Sequence, residues 1–76
     1  MIDLIKRIVQ VLVDHPEQIE VSEVEGDNIT VLELRVAKED IGKVIGKKGR
    51  NVQAIRTILS AASAKVKKHT VLEILE

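Results

Sequence analysis

The spacing of apolar residues changes repeatedly within 76 positions, and those changes restrict the chain to a small set of mixed helix-and-strand arrangements. Ile5, Ile8, Val9 and Leu12 recur at the steps of a helix and Ile2 extends the stripe, so residues 2 to about 13 read as an amphipathic helix. Asp14-His15-Pro16 ends it. Proline disfavours helical geometry at His15 and has no N–H to donate, so the chain is expected to emerge extended. Ile19 and Val21 then alternate with Glu20 and Ser22, and the broken period at Val24 predicts a short strand with a twist or bulge near Glu23. A turn at Gly26-Asp27-Asn28 follows. Beyond it Leu32, Leu34 and Val36 alternate with Glu33 and Arg35, the second arm of a hairpin.

Helical spacing returns at Ile41, Val44 and Ile45, predicting a short helix from Glu39 to Ile45, interrupted by Gly42 and stopped at Gly46. A longer helix starts just beyond Gly49. Val52, Ile55, Leu59 and Ala62 lie along one side with Ile58 beside them, while Arg50, Gln53, Arg56 and Ser60 face outward. Lys65, Lys67 and Lys68 mark its basic end, and Thr70 to Leu75 reads as a final strand. Two helices between the second and third strands allow a right-handed crossover, which would set the last strand parallel to a neighbour. The expected fold is therefore α+β, of order α-β-β-α-α-β, a three-stranded mixed sheet with helices on one face. One domain spans residues 1–76. Folding at this length hides only about 60% of the surface exposed in the unfolded chain. Stability is then on the order of 4 to 11 kcal/mol, and every element must contribute.

The hydrophobic fraction is 45%, yet Phe, Trp and Tyr are absent, so the core is aliphatic. The same absence removes base stacking on aromatic rings as a source of affinity. Without cysteine there is no disulfide, thiolate metal site or thiol nucleophile, which fits a reducing cytoplasm. Asp3, Lys6 and Arg7 interrupt the apolar N-terminus, so it is expected to be neither a signal peptide nor a membrane span. A cytoplasmic, membrane-free protein is expected. The net charge of zero hides a division after Asp40, with four basic residues against ten acidic ones before it and eight against two after it. From Ile41 to Leu72 no acidic residue occurs, so this segment is either a solvated surface or an anion-binding face.

Position favours the anion. In IGKVIGKKGRNVQAI, Gly46 and Gly49 bracket Lys47 and Lys48 immediately before a helix N-terminus. Glycine there permits positive φ angles and close backbone approach, and the helix amides favour a phosphate. A Walker loop is excluded by its spacing and by the missing magnesium-binding Ser or Thr. A dinucleotide fingerprint fails because Gly42, Gly46 and Gly49 have the wrong spacing and lie between helices. The small-xxx-small pair Gly42 and Gly46 is too heavily flanked by charge for a membrane helix contact.

With its apolar-glycine prefix and flanking helices, VIGKKGRNVQAIRTIL resembles the signature of a KH domain, and the element order resembles the type II, bacterial form over nearly the whole chain. Because the chain begins at Met1 and ends just after the last strand, it is similar to the small stand-alone bacterial members. The resemblance implies a groove for about four single-stranded nucleotides whose backbone is clamped by the Gly-x-x-Gly loop. Carried over, the clamp is Gly46, Lys47, Lys48 and Gly49. Ile41, Val44 and Ile45 correspond to an apolar groove wall that shares its residues with the core, and Gly42 allows close approach. Lys43, Arg50 and Arg56 are candidates for phosphate contact or for a solvated surface. The turn at Gly26-Asp27-Asn28 corresponds to the variable loop closing the opposite wall. A wall so short implies weak, sequence-tolerant binding of single-stranded RNA, as in an RNA chaperone or post-transcriptional regulator. The relatives are implied to act on cell-envelope growth and cell shape, and to pair with themselves or with a larger KH protein.

An enzyme is the weaker alternative. His15 beside a proline and His69 before a strand are ordinary linker positions, so no catalytic, metal or cofactor site is expected. A protein-interaction module is the stronger one. If Leu72 and Ile74 face the helices, Val71 and Leu75 point to the open side of the sheet, where apolar residues mark contacts or stand as scattered surface hydrophobes.

Overall fold

A computed structural model describes residues 2–65 and 68–75; Lys67 of the basic run lies outside them. Helix α1 spans Ile2–Gln10 and buries Ile5 and Val9, the inner stripe of its apolar face. It is shorter than its periodicity: past Gln10 the chain tightens into a turn in which the Val9 carbonyl accepts the N–H groups of both Leu12 and Val13, at 2.9 and 3.2 Å. The chain does not leave extended either: Pro16–Gln18 makes a single 3-10 turn. Proline fits the first position of such a turn, where no N–H is required.

Strands β1 (Glu20–Glu25) and β2 (Ile29–Arg35) pair antiparallel, and β3 (His69–Leu75) joins β2 in parallel, giving the mixed order β1-β2-β3. The ladder runs without a bulge, from Glu20 opposite Arg35 to Glu25 opposite Thr30. The sequence pattern breaks for another reason. Val21 shares the face of buried Leu34, whereas Val24 pairs with Val31 on the opposite face and stays 54% exposed. Glu23 lies opposite buried Leu32 yet reaches solvent, as a side chain on an edge strand can.

A 3-10 turn at Lys38–Asp40 leads into α2 (Ile41–Ile45), which continues through Gly42 and stops at Gly46. A second 3-10 turn, Lys47–Gly49, leads into α3 (Arg50–Ala64). All three helices bury side chains against Leu32, Leu34 and Leu72: Ile5 and Val9 from α1, Val44 from α2, and Val52, Ile55 and Leu59 from α3. One face of the sheet is therefore covered and the other is open. Burial of an aliphatic side chain of this size contributes about 1.5 to 3 kcal/mol, so this cluster is what offsets the entropy of ordering so short a chain. The helical pattern sets Ile58 beside the inner stripe, but it turns outward and is 43% exposed.

Candidate functional site

Gly46 has φ +78° and ψ 171°, Lys48 has φ +59° and ψ 25°, and Gly49 has φ +74° and ψ 16°. Three positive φ values within four residues turn the backbone sharply between α2 and α3. Gly46 could be nothing else: a Cβ there would lie 2.6 Å from Asn51 Cγ and 2.8 Å from the Asn51 backbone nitrogen. Lys48 holds a left-handed conformation that disfavours a side chain by roughly 1 to 2 kcal/mol. A lysine kept in that conformation at a loop tip directs attention to its charge.

Lys47 and Lys48 are exposed, as are Arg50 and Arg56 on the outer face of α3. Among the described residues none of these four makes an ion pair. Gly49 caps α3 without a side-chain acceptor, leaving the first amides of a 15-residue helix under the positive end of its dipole. Lys43 stands differently. Its ammonium hydrogen-bonds the Asp14 carboxylate and lies 3.8 Å from Asp40 Oδ1. The hydrogen bond from Lys43 holds the Asp14 carboxyl below its ordinary range, helped by the ammonium charge, and raises Lys43 in turn. Lys43 is thus committed to a carboxylate before any ligand arrives.

Two polar residues that the sequence pattern did not single out fix this geometry. Asp40, fully enclosed, accepts the backbone N–H of His15 at 2.9 Å and of Asp14 at 3.2 Å. It pins the segment after α1 to the start of α2. Asn51, two residues beyond Gly49, donates from Nδ2 to the Lys43 carbonyl at 2.9 Å. An acidic residue directly before a short apolar helix suggests an N-cap, but the Asp40 side chain makes no cap hydrogen bond, and neither it nor Asn51 carries a local signal of its actual partner.

The apolar wall divides. Val44 is fully buried and has no surface to offer a ligand, because its position on α2 points at the sheet. Ile45 remains 38% exposed, and Ile41 is half-buried, packed against the core on one side and bordering a depression with Arg35, Val36 and Lys38 on the other. A Cβ on Gly42 would meet nothing within 4 Å, so the backbone is open to close approach there. A shallow groove of about 260 Å³ runs between α3 and the edge strand β3, lined by Arg56, Ser60, His69, Thr70, Val71 and Leu72. Arg56 also borders a second depression with Gln53, Thr57 and Ser60, so it links the two along α3.

The Gly26-Asp27-Asn28 turn stands away from the loop. The Asn28 carbonyl accepts the N–H of His69, which starts β3 shortly after α3 ends, whereas the loop precedes α3. A helix of 15 residues places those ends about 20 Å apart. The turn therefore sits at the far end of the groove from the clamp. Among the described residues no group of three His, Asp or Glu could hold a metal ion, and no helix is long and apolar enough to cross a membrane.

A glycine-bracketed basic loop between two helices, packed with the third on one side of a three-stranded mixed sheet in this order, defines a type II KH domain. The family model for the KH domain of KhpA and KhpB matches residues 2–74, and the chain belongs to that family. It is 51% identical over 73 residues to the RNA-binding protein KhpA of Caldanaerobacter subterraneus, covering 96% of this chain and 97% of that one. Against the RNA-binding protein KhpA of Clostridium acetobutylicum it is 51% identical over 75 residues, covering 99% and 100% of the two chains. The RNA-binding protein KhpA of Borreliella burgdorferi is 47% identical over 75 residues, covering 99% and 92%.

Proposed function

We propose that this domain binds single-stranded RNA by clamping its sugar-phosphate backbone at Gly46, Lys47, Lys48 and Gly49, as its relatives' name and the loop geometry suggest. The observation that carries the reading is the loop itself: positive φ at Gly46, Lys48 and Gly49, with two exposed lysines at the start of α3. A backbone phosphate can approach glycine without meeting a Cβ, while the lysines and helix amides favour its charge. Around the loop the strand would pass Gly42 and Ile45 of α2 and run along α3 past Arg50 and Arg56. With no aromatic residue to stack on, affinity comes from phosphates and is broadly sequence-tolerant. A cytoplasmic RNA chaperone, acting transiently on many transcripts, suits such binding; a catalyst does not.

The open sheet face supports a second, compatible role. Val24, Val31 and Val71 form one apolar row across all three strands, with Leu75 further along β3. We propose this face as the contact for a second copy or for a larger KhpB-like KH protein, leaving the helical side free for RNA. Pairing would offset weak affinity by doubling the contacts.

The test is a fluorescence-anisotropy titration of a labelled short single-stranded RNA with the protein and with a Lys47→Asp, Lys48→Asp variant, at low and moderate salt. Binding by the parent that weakens with salt and is lost in the variant supports the clamp. Equal binding by two folded proteins, or none by either, removes it and favours the protein-partner role.

A further inference from the structure

Helix α2 has five residues, too few to remain helical alone in water. Each of its ends is fastened. At the start, the enclosed carboxylate of Asp40 holds the amides of Asp14 and His15. At the finish, the last carbonyls of a helix need outside partners. Gly46 N–H reaches the Gly42 carbonyl at 2.9 Å, and the Lys43 carbonyl is taken by the side-chain amide of Asn51 at 2.9 Å. Asn51 is the second residue of α3, so this hydrogen bond spans the whole Gly46–Gly49 loop.

The same side chain lies beneath Gly46, where a Cβ would meet Asn51 Cγ at 2.6 Å and Cβ at 2.8 Å. One residue thus ties α2 to α3 and sets how closely Gly46 lies against α3. Within the loop, Gly49 N–H bonds the Gly46 carbonyl at 3.1 Å. Lys48 holds a left-handed conformation that L-residues disfavour, which calls for restraint from outside the loop.

We infer that Asn51 is a positioning residue: through its hydrogen bond to the Lys43 carbonyl it holds the Gly46–Gly49 loop in clamp geometry before RNA arrives. The inference rests on the clamp reading for its consequence, and on the free protein for its first test. A loop already ordered loses less freedom when it binds. Removing the fastening therefore lowers affinity without changing how many phosphates are neutralised.

The principal variant is Asn51→Leu, which keeps a branch at Cγ, removes the donor and favours a helix at least as well as asparagine. Asn51→Ala, which also removes the Cγ beneath Gly46, is the second. Amide hydrogen exchange is measured on the free proteins, and anisotropy titrations with labelled short single-stranded RNA follow across a salt series. Loss of one net hydrogen bond should speed exchange at the bonded loop amides, Gly46 and Gly49, and weaken RNA binding, each by about three- to tenfold. Exchange at Ile55 and Leu59 should stay as in the parent, and so should the slope of log K against log salt, whereas Lys47→Asp flattens that slope. Unchanged exchange at Gly46 and Gly49 overturns the inference, whatever the RNA does. So does faster exchange spread to Ile55 and Leu59, or a loosened loop that binds RNA as tightly as before. If the parent binds no RNA while the variants still loosen only the loop, the clamp reading fails and the fastening by Asn51 stands.

Discussion

Replacing Gly46 by alanine confronts the loop with two separate obstacles whose sizes follow from its geometry. At φ +78° and ψ 171° the residue occupies a region reserved almost wholly for glycine, and holding alanine there costs roughly 1 to 3 kcal/mol. The added methyl would also stand 2.6 Å from Asn51 Cγ and 2.8 Å from its backbone nitrogen. Neither atom can retreat easily, since one is bonded through the amide to the Lys43 carbonyl and the other is part of α3. Overpacking of this kind adds about 1 to 3 kcal/mol. The sum, about 2 to 6 kcal/mol, is comparable to the whole stability expected of so short a domain. Urea denaturation should therefore show Gly46→Ala less stable by at least about 2 kcal/mol, or retaining its fold only by distorting the loop. In the second case the loss appears in RNA anisotropy, where 2 kcal/mol is about thirtyfold. Gly49→Ala is the internal comparison. It shares a positive φ, +74°, but its nearest neighbour is Val52 Cγ1 at 4.0 Å, so only the left-handed penalty of roughly 1 to 2 kcal/mol applies. A Gly46→Ala protein as stable and as tight-binding as Gly49→Ala would refute the reasoning.

Gly42 should behave in the opposite sense: it is helical with open space around it, so Gly42→Ala should raise stability by about 0.5 to 1 kcal/mol in urea while lowering RNA affinity by blocking close approach. Asp14→Asn should release Lys43 for phosphate, steepening the salt dependence of RNA binding by up to about one unit of slope. The Asp14–Lys43 pair also has a defined pH window. Because the Asp14 carboxyl is lowered in the folded protein, its contribution is present above the ordinary value of 3.8 and is lost as pH falls through the lowered one. Because Lys43 is raised, its contribution is present below 10.5 and is lost as pH rises through the raised value. An NMR titration of the Asp14 carboxyl and the Lys43 ammonium should show both charged throughout the interval between those two ordinary values.

The order of elements was legible because each helix and strand buries one face, and burial leaves its period in the sequence. Leu32 and Leu34 alternating, and Val52, Ile55 and Leu59 in helical steps, are read directly from the apolar pattern and lie in one core. The glycine loop was legible for a related reason: positive φ selects glycine, and Gly46 and Gly49 both need it. Polar residues that work at long range leave no such trace. Asp40 is buried because it holds amides at positions 14 and 15, and nothing near it in the chain reports that. Lys43 looked like any other basic residue of the segment until folding brought Asp14 to it. Val44 and Ile45 are adjacent and similar, and only packing shows that the first is enclosed and the second exposed. The broken period at Val24 points to a twist or bulge near Glu23 where the ladder is regular, because one exposed valine on an edge strand imitates a shift of register.

The central claim is that RNA meets this domain at the Gly46–Gly49 loop and along α3. Titrating the isotopically labelled protein with a short single-stranded oligoribonucleotide, and following backbone amide shifts residue by residue, tests it most directly. The account predicts that the largest changes fall on residues 46–50 and extend through Gln53 and Arg56, while Val24, Val31 and Glu33 on the open face of the sheet stay still. Changes concentrated on that open face, with the loop amides unmoved, would contradict it.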